Sequence, residues 1–240
     1  MSRPSRFFAT PSQGFAPNMN ETVTVLIDAL PYVLQGAAVT VTAVVGAMFL
    51  GLFIGVPLAV GQVYGRGPVR MLCDTYVWFF RGVPILVLLF LFYFGLFTYF
   101  GLNLNAVGAA TIVLGMTSGA YQSQIFRGSI LSLSKGQLKA ARALGMSDGL
   151  AIRSIILPQA LRLSIPGWSN EYSILLKDSA LAFVLGASEI MARTHFVASR
   201  TYKHLPLYLT AAVLYFLLTW AGVAALRALE KRVRIKGYVQ

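Results

Sequence analysis

Between Gly82 and Phe126 the chain runs for 45 residues without an Asp, Glu, Lys or Arg. In a soluble domain about a quarter of residues are charged, so a gap of this length has no place there. A helix crossing a bilayer needs about 20 mostly apolar residues. The run is therefore too long for one crossing helix and suits two, joined by a tight loop at Gly101, Asn103 and Asn105. These two spans cover about Ile85–Phe100 and Val107–Phe126.

The rest of the chain divides in the same way. Ala29 to Gly65 is also uncharged, and Val33–Val60 supplies the first span. Met71–Phe80 is apolar and aromatic but carries Asp74. It reads either as a short interfacial helix or as the opening of the second span, broken at Gly82 and Pro84. Leu163–Ile190 is a weaker apolar stretch interrupted by Glu171, Lys177 and Asp178. The last clean run is Leu205–Leu226. The whole chain is 57% hydrophobic and only 12% charged, and its mean hydropathy is +0.69. Both disorder and a soluble globular enzyme are excluded by that balance. The expected fold is all-α: a polytopic membrane protein with five transmembrane helices. Residues 1–30 read as an external tail, 31–230 as the membrane domain, and 231–240 as a basic tail.

Charge sets the expected orientation. The chain has 20 Lys and Arg against 8 Asp and Glu. With five spans, 14 cations fall on the side of segments 61–84, 127–162 and 227–240, and five on the other. Cationic residues gather in cytoplasmic loops, so the N-terminus is expected outside and the C-terminus inside. If Leu163–Ile190 did not cross, the basic tail would lie outside, against that rule. The first 20 residues lack the apolar stretch of a signal peptide, with Pro11, Gly14 and Pro17 where it would be. They read as a mobile tail that leaves insertion to the spans.

Few residues offer chemistry of their own. There is no G-x-x-x-x-G-K-[ST] loop to cradle a nucleotide phosphate. His195 and His204 are nine apart on an outward loop and read as interfacial polar side chains, not a metal pair. Cys73 is alone, so no internal disulfide is available, and it reads as a small apolar filler. No catalytic residue, metal site or cofactor is expected.

Two constellations stand out. In the fourth span Glu171 and Asp178 are seven apart and share a helical face, with Lys177 about 100° away. Each charge at a helix centre costs about 2.5–3.5 kcal/mol in lipid, so all three must meet protein, water or each other. One reading is a snorkelled Lys177 and an ion pair near the membrane edge; the other is a wall of a solute pathway. The second constellation is the loop from about 132 to 160. Gln137–Leu144 is rich in helix formers, Gly145 suits a C-cap with positive φ, and Ser147 or Asp148 can cap a second helix, which Pro158 interrupts. This helix–glycine–helix elbow presents Leu138, Ala141 and Leu144 as a small apolar patch with cations beside it. It reads either as an ordinary surface loop or as a helix for another protein's groove.

The spacing of Ala140-Ala141, Gly145, Ile155 and Leu157-Pro158 resembles the cytoplasmic signature of binding-protein-dependent ABC importer permeases. Phe80-Arg-Gly-Val-Pro84, Ala120-Tyr-Gln-Ser-Gln-Ile-Phe-Arg127, Leu157-Pro-Gln-Ala-Leu-Arg162 and Leu176-Lys-Asp-Ser-Ala-Leu181 are similar to the polar amino acid branch, over about Tyr32 to Arg234. The resemblance implies a type I importer transmembrane domain with five spans and a cytoplasmic coupling helix. It implies Lys139, Ala140, Ala141, Leu144, Gly145 and Met146 as the contact with an ATPase, and Glu171, Lys177 and Asp178 as candidates for the substrate pathway. The implied partners are two cytoplasmic ATP-binding subunits, a second permease copy or a paralogue, an external solute-binding protein and membrane lipid, with no nucleic acid. Lys139 and Gln124 stand where the family usually has Glu. The first touches any charge contact with the ATPase; the second alters a buried polar contact near the inner end of the third span.

The function expected from all this is a permease subunit of an ABC importer. It would bring a polar amino acid into the cytoplasm across the bacterial inner membrane, driven by ATP hydrolysis elsewhere. Asn170-Glu171 resembles the basic and opine-type members more than the glutamate-type ones. The runner-up is a membrane scaffold subunit with no solute pathway, which a charge-free fourth span would favour. A secondary transporter usually carries internal repeats, and none is visible.

Overall fold

The computed structural model describes residues 19–233, and every regular element in that range is helical. The helices are α1 (Met19–Tyr64), α2 (Gly67–Gly82), α3 (Ile85–Phe90), α4 (Ala106–Ser132), α5 (Lys135–Ala143), α6 (Asp148–Ala151), α7 (Leu157–Leu163), α8 (Ile165–Asp178), α9 (Ile190–Thr201) and α10 (His204–Val233). Two of them, α1 and α10, are long and apolar enough to cross a membrane alone. The remainder of the expected N-terminal tail (residues 1–18) and of the basic tail (234–240) lies outside the described residues.

The first span begins earlier than its charges suggested. α1 is 46 residues long, about 69 Å at 1.5 Å per residue, well beyond the about 30 Å of a hydrocarbon core. Asp28 ends the apolar run but not the helix, because the surrounding Thr, Val, Leu and Ala continue it. Met71–Phe80 lies within α2, which stops at Gly82, where the chain turns by 105° into α3. Pro84 removes an amide hydrogen where α2 would continue, and the Val83 amide closes the last turn onto the Phe79 carbonyl at 3.1 Å. α3 runs on as a π-helix over Leu91–Phe97. The loop that follows turns at Gly101, φ +68°, and Asn105 caps α4, its side chain accepting from the Gly108 amide at 2.7 Å.

The fourth apolar stretch is not one helix. α8 ends at Asp178, a 3₁₀ segment covers Ser179–Leu185, and Gly186 reverses the chain at φ +87°. Glu189 then caps α9, accepting from the Met191 and Ala192 amides at 2.8 and 2.6 Å. At the other end of the chain's path, α7 follows a π-turn over Ile152–Ile156, where Pro158 disturbs regular helix.

α1 and α4 form the spine of the molecule. Gly51 and Gly55 on α1 face Gly115 and Gly119 on α4, a small-xxx-small pair on each helix. A Cβ on Gly55 would stand 3.0 Å from the Gly119 carbonyl oxygen, and one on Gly119 would stand 2.8 Å from Ile54. At Gly55 the two backbones come close, and at the other three glycines a side chain of the facing helix fills the space left by the missing Cβ: Gln122 and Ser118 at Gly51, Leu50 at Gly115, Ile54 at Gly119, the close approach by which helices associate where no hydrophobic drive exists. Cys73 fills the space beside Gly61.

Candidate functional site

The elbow after α4 is built much as its sequence implies. Ser134 caps α5, its hydroxyl accepting from the Gly136 amide at 3.3 Å. The chain leaves helix at Leu144, Gly145 takes φ +79°, and the Met146 amide returns to the Ala141 carbonyl at 3.0 Å. Ser147 caps α6. Residues 137–148 are thus a helix, a turn and the start of a second helix. Arg142 clamps the turn with two hydrogen bonds to Asp148, at 2.7 and 2.8 Å. That guanidinium holds the Asp148 carboxyl below the usual aspartate range.

The elbow's apolar residues do not form one outward patch. Ala141 is 2% exposed and Leu138 is half-buried, whereas Leu144 is 83% exposed. α5 lies against its own chain, so Ala141 packs inward. Leu138 lines a cleft of about 290 Å³ with Tyr64, Ile130, Leu133 and Ile156. Gln137 and Gln159 tie α5 to α7 through paired amides at 2.9 and 3.1 Å. Lys139, Ala140 and Gly145 are exposed and Met146 is half-buried.

Beside the elbow, Gln124 makes the expected polar contact. Its amide donates to Gln62 Oε1 at 2.9 Å, and Gln62 Nε2 donates to Asp74 Oδ1 at 2.7 Å. A glutamate at position 124 has no hydrogen to give Gln62, so the relay α4–α1–α2 depends on the amide.

A second polar cluster sits half-way along α4. Ser118 donates to Glu171 Oε1 at 2.7 Å. Gln122 donates through Nε2 to the Met48 carbonyl at 3.1 Å and to Ser118 Oγ at 3.0 Å. Its Oε1 accepts from the Trp168 indole at 2.6 Å. Glu171 is 4% exposed, so its carboxylate meets protein, as its cost in lipid requires. Asp178 is half-buried and Lys177 exposed. Among the described residues neither they nor Glu171 form an ion pair: the pairs are Arg70–Asp74, Arg142–Asp148 and Lys203–Glu21. The edge ion pair is therefore not what the fourth segment makes.

The sequence reading missed Ser118, Gln122, Trp168 and Arg81. Arg81, one of the cations on the expected cytoplasmic side, lays its guanidinium over the Tyr121 ring, 5.1 Å from the centroid. Its place directly before the Gly82–Pro84 break was the available signal. The Ser118/Gln122 pair, four apart on one helical face of a charge-free run, was another. His195 bonds the Tyr208 hydroxyl at 2.8 Å, and among the described residues no group of three or more metal-ligand side chains occurs.

Residues 47–235 match the family model described as "binding-protein-dependent transport system inner membrane component". The chain is 32% identical over 216 residues to the arginine transport system permease protein ArtQ of Bacillus subtilis, covering 90% of this chain and 99% of that one. It is 34% identical to the probable amino-acid ABC transporter permease protein YckA of the same species (86% and 91%), and 36% identical to the octopine transport system permease protein OccQ of Rhizobium radiobacter (83% and 89%). A solved amino acid ABC transporter with histidines superposes with a TM-score of 0.77 at 31% identity, covering 86% of this chain and 96% of that one. An inward-facing MetNI methionine ABC transporter shares the fold, at a TM-score of 0.71 and 20% identity (90% and 99%).

Proposed function

The chain belongs to the family of inner-membrane components of binding-protein-dependent transport systems, and from that premise we propose that it carries a polar amino acid inward through the membrane. It is a permease subunit, not an enzyme: in ABC transporters ATP hydrolysis lies in other subunits. Relatives named for arginine and octopine support a basic or opine-like substrate. The comparisons do not favour a non-transporting scaffold.

In this reading five segments cross the bacterial inner membrane: α1, the bent α2–α3 pair, α4, the α7–α8 pair and α10. With Arg81 inside the crossing α2–α3 pair, 13 of the 14 cations remain on one side against five on the other, which supports an N-terminus outside and a C-terminus in the cytoplasm. Two such permeases, identical or paralogous, pair in lipid and bind two cytoplasmic ATPase subunits, while an external binding protein delivers the solute. Closure of the ATPases moves the elbows and rocks the bundle between outward and inward openings. Glu171, Lys177 and Asp178 belong to the wall of that pathway. Glu171 acts from behind Ser118, and Asp178 and Lys177 stand nearer the surface.

The observation that carries the coupling role is Leu144, 83% exposed at the tip of a turn held by Gly145 and the Arg142–Asp148 clamp. An anchor side chain on a rigid elbow is what a groove on a partner takes up. Lys139 and Ala140 flank it, while Ala141 backs it from inside. In a Cys73→Ala background, cysteine at position 144 should cross-link to a cysteine in the ATPase cleft, and cysteine at 141 should not. An active complex with no cross-link from 144 would end the coupling role.

A further inference from the structure

We propose that the cleft between α5, the Tyr64 end of α1 and the Ser132 end of α4 holds one anionic phospholipid of the adjoining leaflet. An acyl chain enters the cleft, and the phosphate meets Lys135 and Lys139. The inference rests on the reading above that α1 and α4 cross the membrane; it is independent of the solute carried.

The cleft lies at the depth where lipid tails give way to headgroups. α1 and α4 run parallel, since Gly46 faces Thr111 and Gly55 faces Gly119, so both end on the same side. Gly119 is the middle residue of α4 (Ala106–Ser132). Ile130 is 11 residues farther on, about 17 Å along the axis. Tyr64 is nine residues past Gly55, about 14 Å. Half of a hydrocarbon core is about 15 Å.

The cleft has two unlike parts. Its floor is apolar, with Val63, Ile130 and Leu131 in the wall. Its rim is cationic, with Lys135, Lys139 and Arg142. Together with Leu138 these cations stand at i, i+3, i+4 and i+7 of α5, one stripe of a helix. The sequence of α5 therefore places its charges on the face it turns to the cleft. Ala140 and Leu144 lie off this stripe and remain open to an ATPase. Among the described residues no carboxylate lines the cleft. Arg142 is paired with Asp148, whereas Lys135 and Lys139 are exposed and form no ion pair.

These two parts select the occupant. Lipid tails alone would leave both ammonium groups without an anion. Water or an inorganic anion alone would leave the floor wet, including Leu131, which is 55% exposed. An acyl chain joined to a phosphate answers both. Lysine binds phosphate as a point charge, and lysines at this level attract anionic lipid. At about 290 Å³ the cleft is at the small end of ligand pockets, about 300–1,000 Å³, so it takes a single chain segment and leaves the headgroup at the rim.

The test uses the full complex of permeases and ATPases in phosphatidylcholine nanodiscs. A small fraction of the lipid carries a photoactivatable diazirine in one acyl chain, on either phosphatidylglycerol or phosphatidylcholine, and labelled residues are mapped by mass spectrometry. In wild type, phosphatidylglycerol should label Val63, Ile130 and Leu131 about 10- to 30-fold more than phosphatidylcholine does. Lys135→Gln/Lys139→Gln should abolish that preference, and Lys135→Arg/Lys139→Arg should retain it. Equal labelling by the two lipids in wild type, or a preference that survives the double glutamine variant, overturns the inference. A cleft that neither lipid labels overturns it too; the two lysines then face an acidic wall of the ATPase. Phe49 and Phe53 of α1 and Phe216 of α10 are exposed, and both lipids should label them equally. If neither lipid reaches any of the three, the membrane crossing fails together with the inference. Should the double glutamine variant fail to assemble, wild type gives the second measurement. Raising the share of unlabelled phosphatidylglycerol at constant probe should suppress labelling in the cleft and leave Phe49, Phe53 and Phe216 as before. An equal effect at both places would refute the proposal.

Discussion

A single methyl group at Gly51 tests how the polar cluster is held. In the native packing the Gly51 Cα faces the Gln122 amide. A Cβ there would overlap Gln122 Nε2 and stand 3.1 Å from both Cβ and Oγ of Ser118. Gln122 is fully buried and uses three hydrogen bonds, to Met48, Ser118 and Trp168. Gly51→Ala therefore forces it out of place. The bonds to Met48 and Trp168 join helices, and such bonds are worth about 0.6 kcal/mol each, at most about 1.7, so the two amount to about 1–3 kcal/mol. Forcing the extra methyl into the packed crossing costs about 1–3 kcal/mol more. The alanine recovers about 1 kcal/mol of helix propensity. The net loss expected is about 1–5 kcal/mol. Thermal unfolding of the purified complex in nanodiscs reads the loss, and a blue shift of Trp168 emission reads the broken indole bond. The double variant Gly51→Ala/Gln122→Ala should be more stable than the sum of its parts, because the second change removes the group the first collides with. Wild-type stability and unchanged Trp168 emission in Gly51→Ala would refute the reasoning.

Two further expectations concern the elbow. Gly145→Val places a β-branched residue at φ +79°, at a cost of about 1–3 kcal/mol. It should raise ATP hydrolysed per solute imported in proteoliposomes while membrane insertion stays at the wild-type level; unchanged coupling would show that the turn is not transmitting. Because Asp148 has a depressed folded pKa, its clamp on Arg142 is fully present above the ordinary aspartate value of about 3.9 and is lost only as pH falls through the lower folded value. Amide exchange of residues 144–148, corrected for intrinsic rates, should therefore stay constant between about pH 5 and about pH 8, and rise throughout that range in Asp148→Asn. A change within the window in wild type would show that the clamp is set by another group.

What the sequence disclosed, and what it withheld, follows from the range of each signal. Apolar runs located α1, α4 and α10, because lipid imposes the same requirement on every residue of a span. The break at Gly82–Pro84 and the turn at Gly145 were legible because they are local backbone constraints. The inward rotation of Ala141 was not: a short helix with Ala, Leu and Lys on several faces does not say which one meets its own chain. The early start of α1 was hidden by Asp28 and Glu21, which end a hydropathy run without ending a helix. The fourth segment reads as one apolar stretch, yet Gly186 and the cap at Glu189 divide it, since capping is decided by partners that span analysis ignores. The Ser118–Gln122–Trp168–Glu171 cluster joins α1, α4 and α8, and its members become neighbours only once the glycines of α1 and α4 have brought those helices together.

That glycine crossing has a mechanical consequence. Side chains of each helix seated in the glycine notches of the other interlock at the crossing, so α1 and α4 tilt as one stiff member. Only Leu133 and Ser134 separate α4 from α5, which makes α4 a lever with the elbow at its inner end. Ser132 lies 13 residues below Gly119, about 20 Å along the axis. A tilt of about 10° around the crossing carries the elbow about 3 Å sideways. Ser118 and Gln122 sit almost at the fulcrum and scarcely translate. Movement at the inner surface therefore arrives at mid-depth as rotation, which re-aims hydrogen bonds without pulling the helices apart.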